Sequence, residues 1–443
     1  MKRKKKLLIL AGVLAVLCVA IGVVRGVEKH IDSINTVDEE IISVDTDALT
    51  QVSWSYEGKT LTFVKTDDIW YSGDDDTFPV DQDAMQEFLD HFASVTASFI
   101  IEDVEDYGQY GLSDPQCTIT LTEGDTDTRL ELGDYSTMDS KRYVTRGDGT
   151  VYLIDDDLLE YISSDRDSLM DQDGVPEYDT IDSIEINGST SLSIKYLPDE
   201  NLCYSDSYEY YMDDNGTYQA VSASNVNDLM RTLKDLGYTD YVTYRASAED
   251  LSEYDLDSPA FSYTITYTKD DKQNSFTLNF GQKDSKYYVR MDDSEIVYQL
   301  EQETYETVQD TSYDTLRPSE LVSVDWEQVT GVDITIGGET YEVTRKKDKW
   351  SIDDTEVEFQ DVMDAVDALE VNEFKDKTNS KKEEISMELH LNNETFPTVS
   401  FTICQYDGEN CGAELDGTAI GLISRDLVVT LTEAANAITL GLE

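Results

Sequence analysis

Tyr110-Gly-Leu-Ser-Asp-Pro115 returns as Tyr254-Asp-Leu-Asp-Ser-Pro259, 144 positions further along the chain. The segments after each copy also match, in the same order. An alternating apolar stretch comes first, 118–121 and 264–267. Next come Leu130-Glu-Leu-Gly133 against Leu278-Asn-Phe-Gly281, and Lys141-Arg-Tyr-Val144 against Lys286-Tyr-Tyr-Val289. Val151-Tyr152 then matches Val297-Tyr298, and each pair leads into a short helical stretch. The connectors correspond too: Asp167-Ser-Leu169 resembles Asp314-Thr-Leu316, each ahead of a strand at 184–186 or 332–336. Order kept over more than 180 residues marks a repeated structural unit.

A third copy is divergent. Ile334-Thr-Ile-Gly-Gly-Glu-Thr-Tyr-Glu-Val343 reads as a hairpin around a Gly-Gly turn, and Lys349-Trp-Ser-Ile352 matches Asp68-Ile-Trp-Tyr71. Helices are predicted at equivalent places, 81–95, 224–236 and 359–369. In the first, Met85, Phe88, Leu89, Phe92 and Val95 make the stripe of a helix that buries one face. In the second, Val226, Leu229, Met230 and Leu233 do the same, with Ser224 as the expected N-cap. The third copy lacks the Tyr-x-Leu-x-x-Pro segment and ends in a helix near 425–438. The expected fold class is α+β: three repeated units of antiparallel sheet with packed helices, at 45–165, 176–312 and 320–443.

The Trp70-Tyr71 strand end, the helix after it, Tyr110-Gly-Leu112 with Pro115, Leu132-Gly133, Tyr143-Val144 and Val151-Tyr152 together resemble the domain of unknown function 4340 family. The resemblance is good over about residues 45–310 and weaker beyond. These are packing and turn motifs, so they speak for a fold and name no chemistry. What the resemblance implies is a membrane-anchored bacterial protein. It further implies a companion of an ABC-type export system related to gliding-motility auxiliary proteins.

The N-terminus points to a membrane independently. Lys2, Arg3, Lys4, Lys5 and Lys6 form a basic tail (1–6), an apolar run fills 7–24, and Arg25 closes it. Eighteen residues of helix reach about 27 Å, enough to cross a hydrocarbon core. A secretory signal peptide starts in the same way. Here, however, the run ends Ile21-Gly-Val-Val-Arg25 with no Ala-x-Ala pattern, and Leu17 before Cys18 fits a lipoprotein processing site poorly. The expectation is an uncleaved anchor over 7–25 and a juxtamembrane linker over 26–44. The basic tail would be cytoplasmic and the bulk of the chain extracytoplasmic.

Across 443 residues, 94 acidic and 33 basic side chains give a net charge of −61. Setting aside the six N-terminal cations leaves 27 basic residues against 94 acidic ones, a net of −67 on the exposed part. Such a surface repels phosphate backbones, which excludes nucleic acid as the main partner. With 39% hydrophobic residues and only seven prolines, the charge does not signal disorder.

The residues that could carry chemistry are few. His30, His91 and His390 are the only histidines; no Gly-x-Ser-x-Gly and no phosphate-binding Gly-rich loop accompanies them. Asp74–Asp76, Asp155–Asp157, Asp213-Asp214 and Asp292-Asp293 invite a calcium reading, and Asp171-Gln-Asp173-Gly174 is a fragment of an EF-hand spacing. Aspartates also serve turns and helix caps, so Asp171, Asp173, Asp213 and Asp214 are weak candidates for weak Ca2+ binding. Arg146-Gly-Asp148 falls where a hairpin turn is required anyway, and Tyr263, Ile265 and Tyr267 suggest a half-buried sheet face, with sugar stacking as the alternative. Cys117 alternates with Ile119 and Leu121 as a core residue would. If Asp407-Gly408 is a two-residue turn, Cys404 and Cys411 face each other and could form a cross-strand disulfide. The leading functional expectation is a non-enzymatic binding or scaffold protein, accessory to an ABC-type transport or envelope complex, with no catalytic residues or cofactor. Alternatives are a ligand-binding module for cations, cationic peptides or cell-wall glycan, and a carboxylate-based envelope hydrolase.

Overall fold

The computed structural model describes residues 39–189, 191–238, 241–378 and 382–440. The basic tail, the 7–25 span, His30 and Cys18 lie outside the described residues. Among the described residues no helix is long and apolar enough to cross a membrane.

Among the described residues twenty-seven strands form three antiparallel sheets of nine. The first holds β1 (Glu39–Ser43), β2 (Gln51–Tyr56), β3 (Lys59–Thr66), β4 (Ile69–Ser72), β5 (Ser94–Ile101), β6 (Cys117–Glu123), β7 (Thr126–Ser136), β8 (Lys141–Thr145) and β9 (Val151–Ile154). The second holds β10 (Thr180–Asn187), β11 (Leu192–Tyr196), β12 (Tyr210–Asp214), β13 (Thr217–Val221), β14 (Tyr241–Thr243), β15 (Phe261–Lys269), β16 (Lys272–Lys283), β17 (Lys286–Met291) and β18 (Val297–Leu300). The third holds β19 (Val329–Ile336), β20 (Glu339–Lys346), β21 (Lys349–Ile352), β22 (Thr355–Val357), β23 (Val371–Phe374), β24 (Glu383–Leu391), β25 (Thr398–Gln405), β26 (Asn410–Leu415) and β27 (Thr418–Ser424).

The second and third sheets have one strand order, β13-β12-β11-β10-β15-β16-β17-β18-β14 and β22-β21-β20-β19-β24-β25-β26-β27-β23. An N-terminal meander pairs its first strand with the sixth, and the fifth returns to the far edge. The first sheet, β4-β3-β2-β6-β7-β8-β9-β5-β1, follows the same plan with a three-stranded meander. Its ninth strand is supplied from the N-terminal side, where β1 adds beside β5. Strand β1 falls in the stretch read as linker 26–44. Its residues Ile41 and Ile42 are buried, so the first sheet begins earlier than expected.

Among the described residues seven α-helices accompany these sheets: α1 (Gln82–Ala93), α2 (Ala223–Lys234), α3 (Ala248–Glu253), α4 (Gln302–Gln309), α5 (Tyr313–Leu316), α6 (Gln360–Asp367) and α7 (Arg425–Thr439). The stripes read from the sequence face inward: Met85, Phe88, Leu89 and Phe92 on α1, and Val226, Leu229, Met230 and Leu233 on α2, are buried. Val95 is buried too, but from β5. The N-cap of α2 is Ser222, whose hydroxyl accepts from the Asn225 N–H, and not Ser224. Tyr263 and Ile265 are fully buried and Tyr267 nearly so, with the Tyr263 hydroxyl donating to the Val308 carbonyl at 2.7 Å. That face is core and offers no sugar platform.

Many aspartates sit in tight hairpin turns. Asp67-Asp68, Asp270-Asp271 and Asp353-Asp354 each hold two successive positive φ angles, as does Gly337-Gly338. A type I′ turn needs that conformation at both central residues, and Asp tolerates it by bonding its own backbone.

By internal contacts the chain divides into two compact units, 1–172 with the first sheet and 173–443 with the second and third.

Candidate functional site

An aromatic concavity lies in the first unit, where α1 crosses β2 and the segment after β9 comes over both. Asp81 caps α1 by accepting from the Asp83 and Ala84 N–H groups at 3.0 and 2.9 Å. This orients the helix so that Phe88 packs on Trp54 of β2 with ring centroids 4.8 Å apart. His91, one turn on, lies at the edge of that contact.

The opposite wall is the 3-10 helix Leu158–Tyr161. Its N-cap, Asp157, accepts from the Leu159 N–H and is gripped by the Arg142 guanidinium through Nε and Nη2. Arg142 is only 5% exposed and also donates to the Gly133 carbonyl at 2.6 Å, so the helix start is tied into the sheet. Further along, the Trp54 indole N–H donates to the Ser163 carbonyl at 2.7 Å. Held at both ends, the segment presents Tyr161 flat against His91, with ring centroids 3.5 Å apart and planes within 10°. The Tyr161 hydroxyl donates to Asp156, and this bond is the main cause that pushes the pKa of the phenol up.

Between these walls is a cleft of about 310 Å³. Trp54 and Phe88 floor it, His91 and Tyr161 form one side, and Glu87 and Glu160 stand exposed at its mouth. No lysine or arginine is among the described residues lining it. The sequence reading placed His91 on the helix flank but missed this cleft. Trp54 comes from β2, His91 from α1, and Glu160 with Tyr161 from the 3-10 helix after β9, and no local spacing joins these three elements.

The residues singled out from the sequence are dispersed. Asp171 lies in the first unit, its carboxyl pushed up by desolvation and by Asp81. Asp173, in the second unit, accepts from the Ser294 hydroxyl at 2.7 Å. Asp213 pairs with Lys195 at 2.7 Å and accepts from the Gly216 N–H; the hydrogen bond to Lys195 is the leading cause that holds its carboxyl below the usual carboxylate range. Asp214, next along β12, projects from the other face and accepts from the Asn215 amide. Among the described residues no group of three or more His, Cys, Asp or Glu side chains is arranged to hold a metal ion. His390 pairs with Asp333 at 3.1 Å across β24 and β19. In the Arg-Gly-Asp turn, Asp148 accepts from the Tyr152 hydroxyl at 2.7 Å.

Cys404 and Cys411 are not joined. The register pairs Cys404 with Gly412 and Gln405 with Cys411, one residue away from direct opposition. The turn is wider than two residues, because the Asp407 carboxylate gathers the Glu409 and Asn410 N–H groups and the Asp407 N–H donates to the Asn410 carbonyl. Cys411 therefore enters the core while Cys404 projects from the opposite face.

This is a sheet-repeat protein with one aromatic, acid-rimmed cleft in its first unit and no metal-ligand cluster among the described residues. It belongs to the family described as Domain of unknown function (DUF4340), whose model matches residues 70–259 and again 219–387. Each match starts in the last strand of one meander (β4, β13) and runs into the repeat beyond it, so the matches straddle the sheets. No curated protein matches the chain. A solved structure of a Ca2+-stabilized adhesin that helps an Antarctic bacterium reach out and bind ice aligns at 10% identity. It covers 84% of this chain and 93% of the other, with a TM-score of 0.10, so it carries no argument about this fold.

Proposed function

We propose that the chain is a non-enzymatic, single-pass anchored protein whose repeated α+β units bind or scaffold another component of the cell envelope, with an ABC-type transport complex as the partner. The observation that carries this reading is the threefold use of one nine-stranded sheet plan. Repetition of a packed sheet multiplies the surface available for binding, which suits holding a partner. The 7–24 apolar run with its basic tail supports an anchor and an extracytoplasmic bulk. A carboxylate hydrolase is less well supported: Glu87 and Glu160 share the cleft, but both are exposed, and a glycosidase acid relies on an apolar surround.

The test is affinity capture of the full chain from detergent-solubilised membranes. Transporter subunits should co-purify, and exchange of 7–24 for an unrelated apolar helix should reduce their yield. Captures that never contain a transporter subunit overturn the reading. Protease added to intact spheroplasts should degrade the chain beyond residue 26; protection there overturns the topology.

A further inference from the structure

We infer that the cleft between α1 and the Leu158–Tyr161 helix is a binding site for a basic side chain, the aliphatic stem and cationic head of a lysine or arginine on a partner polypeptide. Its shape favours a slender ligand. Trp54 and Phe88 are 2% and 7% exposed, so the floor offers too little open ring surface for a sugar to lie on. Of the aromatic rings lining the cleft, Tyr161 is the open one, at 38%. A slender alkyl stem packs against such a floor while its charged end stays at the mouth.

The charge agrees with the shape. Glu87 and Glu160 stand at the opening, and Asp156 adjoins through the Tyr161 hydroxyl. No lining cation among the described residues neutralises them. A cation within about 6 Å of an aromatic centroid is attracted by the ring quadrupole, and the His91–Tyr161 stack holds that ring still without using its outer face. The field of the whole acidic chain cannot substitute for these contacts at physiological salt, where it is screened beyond about 8 Å. The site is also preorganised. Asp157 and Arg142 fix one end of its wall and the Trp54–Ser163 bond fixes the other, so little ordering accompanies binding. This inference does not depend on the transporter reading: the captures above could fail and the cleft still bind.

The test uses the full chain in detergent at about 150 mM salt, with acetyl-Gly-Lys-Gly-amide, acetyl-Gly-Arg-Gly-amide and acetyl-Gly-Gln-Gly-amide as probes in saturation-transfer NMR. The lysine or arginine methylenes should receive saturation and the glutamine peptide should not. Tyr161→Ala should weaken binding about fivefold, while Tyr161→Phe, which keeps the ring, should stay within about twofold. The pair Glu87→Gln with Glu160→Gln should weaken it about tenfold. Asp228→Asn, removing an exposed carboxylate in the second unit, should leave it unchanged. Thermal melts of each variant separate lost binding from lost folding. Equal affinity across all variants, equal saturation of the glutamine peptide, or binding of spermidine with none of either basic tripeptide would each overturn the inference.

Discussion

An added Cβ at Gly281 would sit 2.2 Å from the Tyr254 carbonyl oxygen, and one at Gly133 would sit 2.2 Å from that of Tyr110. The two best-matched sequence motifs are therefore two sides of one contact: the Tyr-x-Leu-x-x-Pro segment lies against the sheet, and only glycine leaves room beneath it. On the neighbouring strand the motif tyrosine packs on a second tyrosine, Tyr110 on Tyr143 and Tyr254 on Tyr288, at 4.9 and 4.8 Å. The third sheet shows why the pair recurs together. Leu132 pairs with Val144, Phe280 with Val289 and Ile403 with Ala413, so Cys404 stands where the other repeats have glycine. Where the second sheet has Tyr288, the third has Gly412, with Thr378 close above it. The repeat that lost the motif also lost its glycine. Gly281→Ala should lower stability by about 1–3 kcal/mol in urea unfolding, as overpacking does. Cys404→Gly should leave the sheet register intact in a hydrogen-exchange map. The sequence showed both motifs and their order; their contact was hidden because it joins a helical turn to a strand residue 23 and 27 positions further on. A second residue-scale expectation concerns Cys117, read correctly as core. Burial pushes its thiol up to about 12 from 9.0, against a smaller opposing effect of Arg142. In the unfolded chain the thiol ionises near 9, while in the folded chain it stays protonated to about 12. Its contribution to stability is full below pH 9 and is lost as pH rises from 9 to 12. The urea midpoint should fall across that window, and Cys117→Ala should flatten the fall.

Helix boundaries separate what periodicity reveals from what it does not. The stripes of α1 and α2 were legible because 3.6-residue spacing is a property of the chain itself. The caps were less so. Ser222 and Ser224 flank the start of α2, and composition cannot choose between them. The structure chooses Ser222, whose own N–H donates to the Leu316 carbonyl and fixes the chain entering the helix. Ser222→Ala should lower the unfolding free energy by about 1 kcal/mol, while Ser224→Ala, on the exposed first turn, should change it by less than about 0.5 kcal/mol. The Cys404–Cys411 hairpin failed for a related reason. One side chain, Asp407, widens the turn and shifts the register by one, which reverses the face of every later residue in β26. The candidate site was the least legible feature, because its walls meet only after sheet pairing brings β2, α1 and the segment after β9 together.

At the scale of whole repeats, one insertion sets the second apart. Strands β3 and β4 are joined by Asp67-Asp68, and β20 and β21 by Lys347-Asp348, whereas β11 and β12 are separated by residues 197–209. That excursion closes on itself through the Leu197 N–H to the Glu209 carbonyl at 2.7 Å and reaches the third repeat. Tyr204 packs against the third sheet's core, its hydroxyl accepting from the Ser323 N–H. Asn201 and Asn393 exchange amide hydrogen bonds at 3.2 Å, and the Ser207 and Ser323 hydroxyls meet at 3.2 Å. Desolvation pushes the pKa of the Tyr204 phenol up, as expected of a side chain taken into a neighbour's core. These contacts account for why 173–443 forms one compact unit although it holds two complete sheets. Removing a buried aromatic from such a junction costs about 3–5 kcal/mol, comparable with the whole stability of a small domain. Residues 173–443 should accordingly melt as a single calorimetric transition. Tyr204→Ala should split it into two, with the third repeat melting lower and the second little changed. A single transition that merely moves to lower temperature in the variant would place the coupling elsewhere along the junction.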